Sequence, residues 1–321
     1  RNGLSRIEEV IADAKAGKLF ILVDDEDREN EGDLCVIGES ATADAINFMA
    51  KYGRGLICLA LTRIRTEQLG LTMMERRNES RHETAFTISI EAREGVTTGI
   101  SAADRALTIK TAIDPNCSER DITTPGHIFP LIARDGGTLV RAGHTEAVVD
   151  IARACGSDNP SGVICEIMKD DGEMARLPDL VCFAKEHDLK IASIADLIAW
   201  RRRNESLVQR TVESAIRTRI GGDWRMVIYA NTVSNIEHIA LVKGDISTGD
   251  PILVRMHALD LMADLLGAVS EKRAGDELAT AMAAIANAGC GVIVVLREST
   301  VSSLSAMVSQ KLNMTLSLIH I

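Results

Sequence analysis

Leu19-Phe20-Ile21-Leu22-Val23-Asp24-Asp25-Glu26-Asp27-Arg28-Glu29-Asn30-Glu31-Gly32-Asp33-Leu34-Cys35-Val36-Ile37 is the stretch on which the reading of this chain turns. Two short apolar runs flank the decapeptide Asp24 to Asp33, in which seven of ten residues are carboxylates. The flanks predict strands over 18–25 and 34–38. Acid runs are most often solvated surface. This one is short, carries Arg28 and Gly32, and is held between two strands, so its self-repulsion is concentrated in one place. A divalent cation is the natural counter-charge.

Working outward, Leu4, Ile7, Val10, Ile11 and Ala14 recur at helical spacing over 4–16, with Gly17 as the stop. Thr42 is positioned to cap a helix over 43–52 that Gly53 ends. A buried strand follows at 55–62, and Phe86, Ile88 and Ile90 alternate as in a strand. Ser101 caps a helix over 102–113. Pro125-Gly126 and Asp135-Gly136-Gly137 read as turns. A helix runs from about His144 to Cys155, a strand over 162–168, a helix over 178–187, a strand over 190–193 and a helix over 194–203. Strands and helices without strict alternation predict an α+β fold, a mixed-sheet sandwich over residues 1–203 rather than a doubly wound sheet. Arg201-Arg202-Arg203-Asn204-Glu205-Ser206 reads as a linker. The pattern restarts beyond it as a second, smaller α+β domain over 207–321. Its strands fall at Trp224–Ala230, Ile239–Val242, Pro251–Met256 and Val292–Leu296, and its helix at Asp276–Ala288 stops at Gly289.

The totals narrow the function. With 321 residues, 46% apolar content and only 3% aromatics, two aliphatic cores are affordable. A net charge of −10 with no basic stripe argues against nucleic-acid binding, yet a few local arginines suffice for one phosphate. Seven irregularly spaced cysteines without a Cys-x-x-Cys motif read as reduced thiols of a cytoplasmic protein. No stretch is long enough to span a membrane and no signal peptide is visible. The chain opens on Arg1 rather than Met, which reads as a trimmed start.

Four further groups carry chemistry. In Arg141-Ala142-Gly143-His144-Thr145-Glu146 a loop enters a helix, a natural phosphate site with Arg141 as a planar fork, Gly143 allowing close approach and Thr145 adding a hydroxyl. His144 is there either a metal ligand or an ordinary capping histidine. His127, in Thr123-Thr124-Pro125-Gly126-His127, is either a functional group or a turn histidine bonded to nearby backbone. Glu166 ends the apolar strand Gly162-Val163-Ile164-Cys165, where partial burial suits a general acid or base; the alternative is a surface glutamate. Glu94-Gly95-Val96-Thr97-Thr98-Gly99-Ile100-Ser101 is either a substrate-lining loop or a structural turn.

In this order, together with Ser101-Ala102-Ala103-Asp104-Arg105, these groups resemble the 3,4-dihydroxy-2-butanone 4-phosphate synthases of riboflavin biosynthesis, over about residues 4–203. The resemblance implies a lyase that converts ribulose 5-phosphate into dihydroxybutanone phosphate and formate with Mg²⁺ or Mn²⁺, as a homodimer. It implies that Glu29 and His144 hold the metals. Arg28, Glu29, Asp33, Arg141, Gly143, His144, Thr145 and Glu166 would meet substrate, and His127 and Glu166 would move protons. Residues 207–321 resemble a GTP cyclohydrolase II domain through His238 to Asp245, Pro251 to His257 and Gly291 to Arg297. Where that family carries three zinc cysteines, this chain has Asp260, Glu271 and Arg273, and Cys290 is the one cysteine beyond residue 200. Glu298 to Ser303 replaces an acidic, glycine-rich segment, and Leu312 to Ile321 is unlike the family. The expectation is no zinc and an inactive, truncated appendage. The rivals are a bifunctional enzyme and a non-catalytic regulator that binds sugar phosphates.

Overall fold

The computed structural model describes residues 3–74, 84–233, 236–269 and 275–297. Glu271, Arg273, Glu298 to Ser303 and Leu312 to Ile321 lie outside the described residues. The chain divides into two compact units at Glu205/Ser206.

In chain order the first unit contains α1 (Ile7–Lys15), β1 (Phe20–Val23), β2 (Gly32–Ile37), α2 (Ala43–Phe48), β3 (Cys58–Leu61), α3 (Arg63–Gln68), β4 (Ile90–Ala92), α4 (Ala102–Ile113), β5 (Ile122–Ile132), α5 (His144–Ala154), β6 (Gly162–Glu166), α6 (Leu177–Glu186), β7 (Lys190–Ser193) and α7 (Ile194–Asn204). The strands form one mixed seven-stranded sheet in the order β4-β5-β3-β6-β2-β1-β7. Pairs β5/β3 and β1/β7 are parallel and the other neighbours antiparallel.

Both faces of this sheet are covered, which is why β1, β2 and β3 are apolar at every position apart from Asp33. Alternation sorts the side chains. Ile21, Leu34, Val36, Leu59, Val163 and Cys165 enter one core with Ile46, Ile109 and Leu180 of α2, α4 and α6. Leu22, Cys35, Cys58, Ala60, Ile164 and Leu131 enter the other with Val10, Val148, Ile151 and Leu197 of α1, α5 and α7. Helix α5 lies across the second face, and its residues His144 to Ala152 are all buried.

The caps read from sequence are present. Thr42 accepts from the Ala45 N–H, and Ser101 from the Asp104 N–H. Three readings need correction. Pro125-Gly126 is not a turn but the middle of β5. The Thr124–Pro125 peptide is cis. Gly126 also lies so near β4 that an added Cβ would sit 1.9 Å from the Ile90 carbonyl oxygen. His127 is therefore a strand residue. The regular part of the strand expected at 86–91 is only Ile90–Ala92; Phe86 and Thr87 make isolated bridges. Arg201 to Asn204 is not linker: it continues α7, because Arg201 is buried against Asp150, whose side chain is fully inaccessible.

The second unit holds β8 (Val208–Thr218), β9 (Gly222–Asn231), β10 (Glu237–Lys243), β11 (Leu253–Ala258), α8 (Leu261–Leu266), α9 (Glu277–Ala288) and β12 (Gly291–Leu296). Its sheet runs β11-β12-β10-β9-β8. Ile285 and Met282 of α9 pack with Ile293, Val295, Leu241 and Trp224. Strand β8 escapes sequence reading because nearly all of it is exposed and mostly polar.

Candidate active site

Register and parity place the sequence candidates in one row. Asp33 stands opposite Glu166 across β2 and β6 and opposite Leu22 across β2 and β1. Asp33 shares the parity of Cys35, and Glu166 that of Ile164, so both point to the face that α5 covers. Cys58 pairs with Ile164 on one side and with Phe129 on the other. Two residues back along β3, Leu56 is level with Glu166 and with His127, and its N–H donates to Glu166 Oε2 at 2.8 Å. His127, Leu56, Glu166, Asp33 and Leu22 thus form a line across five strands at one end of the sheet. At about 4.8 Å per strand, the His127 and Glu166 backbones are about 10 Å apart.

His144 begins α5 above this line. Its Nε2 meets the Leu22 carbonyl at 3.2 Å. A carbonyl only accepts, so Nε2 carries the proton and Nδ1 is turned toward Glu29 Oε2, 3.8 Å away. Asp33 Oδ1 lies 3.9 Å from Nε2 and, although buried, has no hydrogen-bond partner among the described residues.

The acidic decapeptide is an ordered loop. Asp24, with a side chain 1% exposed, accepts from the Glu29 and Glu31 N–H groups and from Arg28 Nη1. The same Arg28 nitrogen bonds Glu29 Oε2 at 3.0 Å. Arg176 donates to the Glu29 and Asn30 carbonyls, and Asn30 sits at φ 54°. Gly32 has no Cβ because Leu180 of α6 fills that space. Asp25, Glu26 and Asp27 point to solvent.

The electrostatics follow from this crowding. Burial, with Glu166, Glu29 and Glu31 nearby, pushes the Asp33 carboxyl up to about 7 against the opposing pull of His144. Burial also raises Glu31, assisted by Glu29 and Glu166. For His144, burial works against the charged form, but Asp33, Glu29 and Asp24 outweigh it and raise the imidazole to about 9. Ligand atoms of Asp24, Glu29 and His144 all lie within 4.8 Å of one another. Two carboxylates, one imidazole nitrogen turned inward and an orphaned buried Asp33 oxygen suit a divalent cation that shares its shell with substrate oxygens.

At the N-terminus of α5, Gly143 is the cap residue, and Thr145 is buried in the first turn. Arg141 Nη1 bonds Glu146 Oε2 at 2.6 Å and its Nη2 reaches Thr84 Oγ1 at 3.3 Å. The guanidinium is thus oriented by a buried carboxylate rather than loose in solvent. At the far end of the row, His127 Nδ1 lies 2.6 Å from Glu91 Oε2. Asp24 and Glu91 were not among the sequence candidates. Asp24 is one acid among seven, and Glu91 is a polar alternate in a strand; only folding separates either from its neighbours.

The family model for 3,4-dihydroxy-2-butanone 4-phosphate synthase matches residues 8–200. The chain belongs to that family. The GTP cyclohydrolase II model matches residues 209–315. The 3,4-dihydroxy-2-butanone 4-phosphate synthase of Pseudomonas aeruginosa is 50% identical over 293 residues, covering 91% of this chain and 79% of that one. Among solved structures, RibBX, a two-domain synthase from A. baumannii, aligns with a TM-score of 0.71 and 42% identity, covering 95% of this chain and 85% of that one. A synthase solved in complex with two magnesium ions aligns with a TM-score of 0.60 and 38% identity, over 63% of this chain and 99% of that one. The seven-stranded α+β sandwich is thus the synthase fold, and the second unit carries the cyclohydrolase-like pattern. No described helix is long and apolar enough to cross a membrane.

Proposed function

We propose that this chain converts ribulose 5-phosphate into 3,4-dihydroxy-2-butanone 4-phosphate and formate, as a magnesium-dependent lyase of riboflavin biosynthesis. The observation that carries the reading is the row of His127, Glu166 and Asp33 across the sheet, with His144 of α5 above its end beside the folded acidic loop.

Glu29 and His144 would hold the divalent cation, Mg²⁺ or Mn²⁺, with Asp24 bracing the loop beside them. When bound, the cation supplies Lewis-acid polarisation of the substrate's oxygens. Arg141, Gly143 and Thr145 would take the phosphate at the α5 N-terminus, where helix N–H groups and the dipole favour an anion. Arg28 and Asp33 would orient the hydroxyl and carbonyl groups. His127, at one end of the line, and Glu166, two strands along it, would exchange protons with the sugar carbons and oxygens. The reaction needs proton removal next to a carbonyl, loss of water, a carbon shift and release of formate, so two differently placed proton carriers are useful. Glu166 Oε2 is tied to the Leu56 N–H, while Oε1 meets no donor among the described residues.

The same reading takes the protein as a cytosolic homodimer whose seven cysteines stay reduced; all seven are unpaired. The second unit would serve packing or regulation. Asp260, standing at a zinc-cysteine position, instead caps α8 through the Met262 and Ala263 N–H groups. The cyclohydrolase match favours one rival, an enzyme that also opens GTP.

Formate is measured from ribulose 5-phosphate with Mg²⁺ and again with chelator, and from GTP alongside zinc analysis. Formate from the sugar phosphate that vanishes with chelator is expected. Equal formate in both would refute the metal mechanism, and stoichiometric zinc with GTP turnover would establish the rival.

A further inference from the structure

Glu91 lies one strand beyond the row described above and is only 8% exposed. Its Oε2 is 2.6 Å from His127 Nδ1. Its Oε1 accepts from Thr108 Oγ1 at 3.3 Å, inside α4. That hydroxyl is itself directed, because it already accepts the Ala92 N–H at 3.0 Å. Its hydrogen is therefore turned toward Glu91. The carboxylate also fits against Gly99, where an added Cβ would stand 1.9 Å from Oε2. Asp104 holds the Thr97–Gly99 loop in that place through the Thr97 hydroxyl and the Gly99 N–H. A strand residue with buried polar neighbours on two elements, aimed at a ring nitrogen, is more than a surface ion pair.

The imidazole itself differs. Its side chain is 44% exposed, and no protein group among the described residues meets Nε2. A carboxylate can only accept, so it selects the tautomer with the proton on Nδ1.

We infer that Glu91, held by Thr108, is a positioning residue for His127: it fixes the ring and keeps the proton on Nδ1, so that the Nε2 lone pair faces the substrate. This rests on the reading of His127 as a proton carrier. Without Glu91 the ring divides between two tautomers and several orientations, and only one of them accepts a proton at the right atom. Gln at position 91 offers an N–H to the same nitrogen as readily as an oxygen, so its amide no longer selects.

The test uses the full chain with Mg²⁺, comparing Glu91→Gln with the parent. The expected result is a kcat for formate release lower by about tenfold to a hundredfold, with KM within about twofold, a partial loss of the roughly 10²–10⁴-fold that a positioned acid–base group contributes. In ¹⁵N-histidine spectra the His127 ring nitrogens should move from the Nδ1–H pattern to a mixture. Thr108→Val should show a smaller version of both effects, and Thr108→Ser should restore the parent. An unchanged tautomer in Glu91→Gln, whether or not kcat falls, overturns the inference, since a fall alone is what general loosening would produce. Wild-type turnover in His127→Gln would instead overturn the reading of His127 and leave the Glu91 tautomer result to stand or fall separately.

Discussion

Gly143→Ala adds one methyl group at the cap of α5, and its consequence can be worked through. The backbone there has φ −106° and ψ 159°, which any residue adopts, so no strain arises from the main chain. The new Cβ would stand 2.2 Å from Arg141 Nη1 and 2.8 Å from Glu146 Oε2. The guanidinium must retreat by about 1 Å to reach ordinary contact, at roughly 3.4 Å or more. Glu146 cannot follow, because its side chain is 1% exposed and its Oε1 is engaged by the Arg134 N–H. The 2.6 Å charge-assisted bond is lost. Bonds to charged groups contribute about 1.5–3 kcal/mol, and replacing Gly by Ala at an N-cap adds at most about 1 kcal/mol. The sum is about 2–4 kcal/mol, read as a midpoint shift on the order of 1 M urea in the transition of the first unit. If Arg141 serves the phosphate, KM for ribulose 5-phosphate rises about tenfold for each 1.4 kcal/mol of binding lost. The check is a double-mutant cycle. Gly143→Ala in an Arg141→Ala background should cost no more than about 1 kcal/mol, the N-cap contribution, because the guanidinium is already gone and no longer holds Glu146 Oε2 in place. Full additivity of the two changes would refute the account.

Arg201→Met should destabilise the first unit by about 3 kcal/mol, the lower part of the range for stranding a buried charge, because Asp150 retains Thr138 and Arg153; thermal melts check this, and Asp150→Asn in the same chain should recover part of the loss. Glu29→Gln or His144→Gln should weaken Mn²⁺ binding by at least about tenfold, measured by titration calorimetry, and abolish formate release; normal turnover in either variant contradicts the ligand assignment. The folded carboxyl of Asp33, at about 7, and the folded imidazole of His144, at about 9, both lie above their ordinary values. The folded state therefore holds more protons than the unfolded chain between roughly pH 5 and pH 9, so stability falls as pH rises through that window. In chelator the Tm of the first unit should decline from pH 5.5 to pH 9; a rise would contradict the assigned environment.

The sandwich was legible because its strands are short aliphatic runs and its helices carry ordinary caps. Thr42, Ser101 and Gly289 mark their ends by local chemistry, which sequence alone expresses. The errors fall where tertiary contact overrides local preference. Pro125-Gly126 has turn composition, yet β4 draws it into a strand. Arg201 belongs to a charged run, yet Asp150 draws it into the core. Strand β8 has neither an apolar run nor a buried face to announce it.

By itself, the sequence determined that an acidic loop follows a buried strand, that a His-Thr pair opens a helix, and that an acid ends another strand. Those are local facts, written in spacing of a few residues. The resemblance singled out Glu29 and Asp33, but that Asp24 lies within reach of Glu29 and His144 appears only in the fold. Asp24, Glu29 and Asp33 are chemically alike in the chain, and pairing parity and the burial of α5 give them different neighbours. The separation of 122 positions from Leu22 to His144 carries no signal that the carbonyl of one will fix the imidazole proton of the other. Nor does the chain show that Glu91 will stand behind His127. Hydrogen bonds and coulombic shifts depend on distances of a few ångströms, and only the packed sheet sets those distances.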